Sequence, residues 1–288
     1  MPNLERTSTL LGAMPSSRLF WMLGLVPVVA GCTANIGAAE ATDADASAIT
    51  GVVVVEETAF AGDVPHAEVS ARFVKVHGAI DDGALRLAGA ELVMPPIGEC
   101  TTLVDEPLRT PSVVRIQLMN VCALNVECAS GKATLQPRRV PDVTDLVSGV
   151  LYTARTDGLR GTVRLRAAGA DPDVGPLLVE AQAPAELRGL RVGGVEAKSA
   201  EPIALAPGSV ELEWDAATDL VYVDVLAPGT LTTRCAFADH GHATVPAPAS
   251  QNGTFAVHRL RRQPLAGFER GELRFDAARL VPFAVRAK

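Results

Sequence analysis

The sequence predicts an all-β protein made of two immunoglobulin-like β-sandwich domains. Three observations carry this reading. Apolar residues recur at every second position over short runs, as in strands with one buried face. Glycine and proline are abundant, 25 and 20 of the 288 residues, and most fall between the apolar runs, where the chain must turn. No stretch has the spacing of a long amphipathic helix.

The chain begins with a leader. Arg18 precedes a charge-free run over residues 19–30, and small residues lead into Cys32. A positive start, a short apolar middle and a small-residue cut site are the parts of a secretory signal. The run is shorter than the about 20 residues a membrane span needs, and Pro27 would break a helix there. The motif Val29-Ala30-Gly31-Cys32 resembles the lipobox of bacterial lipoproteins. That resemblance implies cleavage before Cys32, palmitate and further acyl lipid on Cys32, and a membrane anchor of two or three chains. Thr33 stands where such proteins carry an Asp for inner-membrane retention. The implied location is therefore the outer membrane, on its periplasmic or its surface face.

Residues 32–50 are small, polar and slightly acidic. They read as a lipidated flexible tether, reaching about 25 Å r.m.s. from the bilayer. The formal net charge is −7 and the leader is itself positive, so the exported part is more acidic still. Such a chain is a poor nucleic-acid binder, because phosphate contacts need clustered Lys and Arg. Arg259, Arg261 and Arg262 are the nearest basic cluster and read as a solvated strand edge.

Strands follow from Gly51. Residues 52–55 are a β-branched run. Val69, Ala71 and Phe73 alternate with polar residues, as do Leu85 and Leu87, Val114, Ile116 and Leu118, and Val163, Leu165 and Ala167. In the second half, Val210, Leu212 and Trp214 share one face of a strand. Further strands lie over residues 219–226, 230–237 and 242–246, around Phe255 and Val257, and around Leu273 and Phe275. About seven strands in this half suit an immunoglobulin-like sandwich. Turn residues near Arg155–Gly161 place the boundary there, giving domains over residues 51–156 and 157–288. One continuous larger sandwich is the alternative.

Several features together resemble a group of uncharacterised, mostly β bacterial lipoproteins. They are Gly98-Glu99-Cys100, Ala183-Pro184, the strand ending in Trp214, and the run from Cys235 through Asp239 and Gly241 to Val245-Pro246. The resemblance spans roughly residues 85–285 and implies no particular activity.

With Cys32 lipidated, Cys100, Cys122, Cys128 and Cys235 remain. An even number in an exported chain favours two disulfides, with three connectivities open. A hairpin over Cys122 and Cys128 is the pairing chosen here, which leaves Cys100 to bond Cys235. Zinc is the rival, but no Cys-x-x-Cys pair exists.

Asp239, His240 and His242 are the weak alternative for a metal site, with His258 in reserve. A hairpin turn explains the same residues, with Gly241 supplying φ > 0. His66, His77 and His258 read as isolated surface residues. Acidic pairs at Asp81 and Asp82 and at Asp171 and Asp173 read as turns, because a calcium loop needs a ladder of alternating oxygen ligands. Trp214 reads as core, and Tyr152 and Tyr222 are thin material for a sugar groove. No serine-hydrolase elbow, zinc-protease motif or phosphate loop is present. The expected protein is a non-catalytic, lipid-anchored envelope protein that binds or scaffolds an envelope partner, with no cofactor and no catalytic residue. A glycan or small-molecule module is the alternative. A hydrolase with a scattered active site is the second.

Overall fold

The alternation of β-branched and polar residues becomes 19 strands in a computed structural model. The structure describes residues 47–77, 92–102, 115–143, 147–169, 173–228, 230–246, 252–268 and 270–286. Every regular element among them is a strand. Two long strands come first among the described residues, β1 (Ser47–Phe60) and β2 (His66–His77), and β1 takes in residues 47–50, expected as the end of the tether, because they pair with β2. Then come β3 (Cys100–Thr102), β4 (Arg115–Leu118), β5 (Leu124–Cys128), β6 (Gly131–Leu135), β7 (Pro137–Val143) and β8 (Val147–Thr156). Next are β9 (Thr162–Ala167), β10 (Leu177–Gln182), β11 (Arg191–Val192), β12 (Val195–Glu196), β13 (Ile203–Leu205) and β14 (Ser209–Glu213). The last five are β15 (Leu220–Ala227), β16 (Thr230–Ala238), β17 (His242–Pro246), β18 (Gly253–Pro264) and β19 (Glu272–Val285).

One 11-stranded sheet backs the whole unit, in the order β3-β16-β15-β18-β19-β1-β2-β4-β8-β7, with β13 pairing β19 from the side. Two four-stranded sheets pack on its inner face. Sheet β10-β9-β5-β6 covers the β1, β2 and β8 end. Sheet β12-β11-β14-β17 covers the β15 and β16 end. The fold is thus two β-sandwiches that share one sheet.

Each core follows from period two. In β9 and β10 every second residue is buried: Val163, Leu165 and Ala167 face Leu177, Val179 and Ala181. They meet Val53, Val55, Val69, Ala71, Phe73 and Tyr152 of the large sheet. In the other core Val210, Leu212 and Trp214 meet Val221, Val223, Phe255 and Val257. Each fully buried Leu or Phe contributes about 1.5–3 kcal/mol.

The β18–β19 hairpin runs through both cores. Phe255, Val257, Val281 and Phe283 lie in the second core, whereas Leu273, Phe275 and, just past β18, Leu265 lie in the first. Strand pairing also moves the expected boundary. The reading of residues 157–288 as one domain separates β9 and β10 from their partners, for β9 pairs with β5 and closes the first core. The crossing between sandwiches therefore comes after Gln182, not near Arg155. Hairpins and long-range pairs look alike in a list of alternating runs, so the spacing of turns could not separate them.

Between the cores the inner face turns polar. Residues 182–186 cross there, and arginines of the hairpin grip their carbonyls. Arg259 donates to the oxygens of Ala185 (3.2 Å) and Glu186 (2.9 Å), and Arg261 to that of Gln182 (3.0 Å). Arg259 is 1% exposed and pairs with Asp239 at 2.9 Å. Arg261 pairs with Asp219. Arg279 and Arg160 both reach the buried Glu57 of β1. The expected solvated edge is a correction here: Arg259 shares the inward face of β18 with Phe255 and Val257, Asp239 neutralises it, and buried oxygens accept from both of its Nη atoms.

Candidate functional site

Alternation along four strands sends a second set of side chains to the outer face of the large sheet. Val221, Val223 and Val225 point into the core, so Tyr222 and Asp224 point away from it. By the same rule His258 of β18, Asp276 of β19 and Arg234 of β16 share that outer face. Register brings them together: Tyr222 stands opposite His258, and Asp224 opposite Arg234.

The contacts are tight. His258 Nδ1 lies 2.7 Å from Asp276 Oδ1, and the Tyr222 hydroxyl donates to Asp276 Oδ2 at 2.5 Å. An ionised Asp276 only accepts, so the His258 Nδ1–H donates to it. Nε2 faces Asp224 Oδ2 at 3.9 Å. Arg234 holds Asp224 through two bonds of 2.7 Å. The Tyr222 and His258 rings stack at 4.1 Å, and the Arg234 guanidinium sits 5.0 Å from the Tyr222 ring centroid.

Burial pushes the Asp276 carboxyl up, but the bond and charge of His258, with the Tyr222 hydroxyl, outweigh it, and its pKa falls below the ordinary value. Burial and then the Asp276 charge raise the Tyr222 phenol far above its ordinary range. Tyr222 is therefore a donor and not a nucleophile. These five side chains include no Ser, Cys or Lys. The set places a carboxylate-oriented imidazole beside a second carboxylate and can hold a polar group.

Glu56 links this cluster to a groove. It stands between Asp276 of β19 and Glu68 of β2 in the strand register. Partial burial, then the charges of Asp276 and Glu68, raise its pKa above the ordinary value. The groove has a volume of about 560 Å³ and is lined by Glu56, Thr58, His66, Glu68, Arg155 and Asp157 among others. Arg155 lies 3.8 Å from Glu68. Charges of both signs and two threonines line it, although most of its exposed surface is apolar.

The residues weighed for chemistry in the sequence lie elsewhere, apart from His66, Tyr222 and His258. Cys32 and the leader, and Asp81, Asp82 and Asp171, fall outside the described residues. Asp239 is buried beneath its turn, where it accepts from the Trp214 indole N–H at 2.7 Å and pairs with Arg259. His240 and His242 are exposed. No group of three or more His, Cys, Asp or Glu among the described residues is placed to hold a metal. Asp239 cannot serve one while it neutralises Arg259. The turn is also not a hairpin: β16 belongs to the large sheet and β17 pairs β14, so residues 239–241 arch from one sheet to the other. Gly241 does have φ of 87°. Asp173 pairs with Lys75 at 2.5 Å. His77 is half-buried.

Cys100 and Cys235 form a disulfide between paired residues of β3 and β16. No disulfide joins Cys122 to Cys128. The expected hairpin between them is replaced by strand β5, whose four steps alone span about 13 Å, beyond the reach of a disulfide. The Cys128 thiol instead contacts Ser130 Oγ at 3.1 Å.

Sequence reasoning missed Asp224, Arg234 and Asp276, and weighed Tyr222 only for a sugar groove. The alternation Val221-Tyr222-Val223-Asp224-Val225 did put a tyrosine and an acid on one face. Which strands flank that face is a matter of pairing, which no single run reveals.

The shared sheet and its two covering sheets define an all-β protein of the sandwich class. No protein-family model matches the chain, and no curated protein matches it. Solved structures with some likeness include the FN1–FN3 domains of chicken CNTN1, at 9% identity, 79% of this chain, 67% of that chain and TM-score 0.22. Another is the Fcho1 Mu homology domain of Danio rerio with bound Eps15 peptide, at 10% identity, 83% and 97% coverage and TM-score 0.25.

Proposed function

We propose that the chain is a lipid-anchored protein of the bacterial cell envelope that works by binding a protein partner. The groove on the outer face carries this reading. It is lined by charges of both signs, while the two larger cores are each closed by a covering sheet. The lipobox at Cys32 supports the anchor and the outer-membrane location. The glycan alternative is disfavoured because Trp214, Tyr152 and Tyr222 are all buried.

Two measurements test this. Cys32→Ser should abolish acyl labelling and detergent partitioning, and unchanged partitioning would remove the anchor. A photo-crosslinker at Thr58 in intact cells should trap one protein, with Glu68→Arg abolishing the adduct. An adduct indifferent to Glu68 would place the interface elsewhere.

A second reading rests on the Asp276–His258 pair, in which a carboxylate orients an imidazole in the arrangement a general base uses. It is a hydrolase whose nucleophile is water. Turnover of an ester or glycoside panel that is lost in His258→Gln would favour it over binding alone.

A further inference from the structure

The outer face is bounded at one edge by a strap. Its chain crosses beside Arg234, whose Nη1 donates to the Val93 oxygen at 3.0 Å, and then becomes β3 along the edge of β16. Every residue from Pro96 through Thr102 is exposed, and Ile97 is 66% exposed. Side-chain burial therefore contributes little to holding this stretch. Main-chain bonds do part of the work: Gly98 N–H donates to the Ala236 oxygen (2.7 Å), and Ala236 N–H donates to the Glu99 oxygen (3.1 Å). The three-residue pairing of β3 with β16 adds to these, and the covalent link is the Cys100–Cys235 disulfide, with Cys100 exposed and Cys235 in the second core at 0% exposure.

We infer that the Cys100–Cys235 disulfide is a reducible latch, and that opening it releases the strap and bares the edge of β16 beside the Tyr222–His258 cluster. A short exposed strand held by a few bonds opens locally at low cost once its covalent tie is gone. The bared edge then presents unpaired N–H and C=O groups, the surface onto which an extended peptide adds as a strand. The same opening removes the Val93 contact from Arg234, so the latch reaches the outer-face cluster.

The reaction needs a dithiol reductant. Its first thiolate attacks the exposed Cys100 sulfur, the S–S bond breaks, and Cys235 leaves as a thiolate that takes a proton. The second thiol of the reductant then displaces Cys100. The reductant becomes a disulfide, and the two cysteines gain two electrons and two protons.

Hydrogen exchange on the full-length protein with and without dithiothreitol tests the latch, with reduction verified by alkylation and mass of the Cys100 and Cys235 peptides. Ala236 bonds only toward the strap, while Phe237, one residue on, points into β15 and serves as control. The Ala236 and Gly98 amides should exchange about tenfold faster or more on reduction, with Phe237 and both cores unchanged. Three results would overturn the proposal: no change at Ala236 and Gly98 after verified reduction, loss of protection throughout both sandwiches, or a disulfide that resists dithiothreitol in the folded protein. Cys100→Ser should reproduce the reduced pattern. If that variant does not fold, the reduction experiment on the unaltered chain decides.

Discussion

Arg259 and Asp239 form an ion pair sealed between the two sandwiches, 2.9 Å apart and with side chains 1% and 0% exposed. Asp239 also accepts from Trp214, and Arg259 also donates to the oxygens of Asp215, Ala185 and Glu186. One pair thus fixes the arch after β16, the tryptophan of the second core and the segment between sandwiches.

Breaking this pair from one side strands a charge. Asp239→Ala should cost about 3–5 kcal/mol, as expected for a buried charge that loses its partner. Replacing both residues, Asp239→Leu with Arg259→Met, should cost less than the sum of the two single losses, with the remainder set by the Trp214 N–H and the three carbonyl oxygens left without partners. Urea unfolding of the two single variants and the double variant measures it. Additive losses would mean the pair is not coupled.

Trp214 has two roles that can be separated. Trp214→Ala should cost about 3–5 kcal/mol from the emptied aromatic site. Trp214→Phe keeps most of the bulk but removes the N–H, and should cost about 1–3 kcal/mol for the orphaned Asp239 acceptor and the lost packing. Equal losses in the two variants would show that the indole N–H matters as much as the whole ring.

Asp276 and Glu56 have pKa values displaced in opposite directions, so their pH effects oppose. The Asp276 pKa is lowered in the folded state. Its stabilisation is fully present above the unfolded-state pKa and is lost as pH falls through the lower folded value. The Glu56 pKa is raised, so this carboxylate destabilises the fold at neutral pH. Melting temperature against pH should show a shallower acid limb for Asp276→Asn. Glu56→Gln should gain about 0.5 kcal/mol at pH 7, the scale of a like-charge cross-strand contact. A loss in the Glu56 variant would contradict the carboxylate row.

Gly241→Ala tests the arch. Residue 241 has φ of 87°, and a Cβ there would lie 2.8 Å from the Trp214 carbonyl oxygen. The substitution combines a disfavoured backbone with a clash and should cost about 2 kcal/mol or more. Thermal unfolding reads it directly.

The strands and their inward faces were legible because period two is a local property. Val210, Leu212 and Trp214, or Val163, Leu165 and Ala167, show their burial in their own spacing. Pairing is not local. Nothing within β9 says that it lies against β5, which is why the boundary was placed too early. The arginines of β18 illustrate the same limit. Alternation put Arg259 on the face of Phe255 and Val257, yet only the tertiary fold supplies Asp239 and the carbonyls that make a buried guanidinium tolerable. His258 looked solitary because Asp276, Asp224 and Tyr222 come to it from two other strands.

The shared hairpin also sets an order of assembly. β1 is made early, yet its edge partner is β19, and Val55 lies beside Phe275 in the parallel register. The first sandwich cannot close until the strand some 220 residues later has arrived, and contacts of such long sequence separation form slowly. A chain that emerges N-terminus first must therefore keep Val53, Val55 and Phe73 from aggregating throughout synthesis. Loss of residues 272–285 would leave neither half able to fold, so nascent-chain quality control meets this protein as a single all-or-none event.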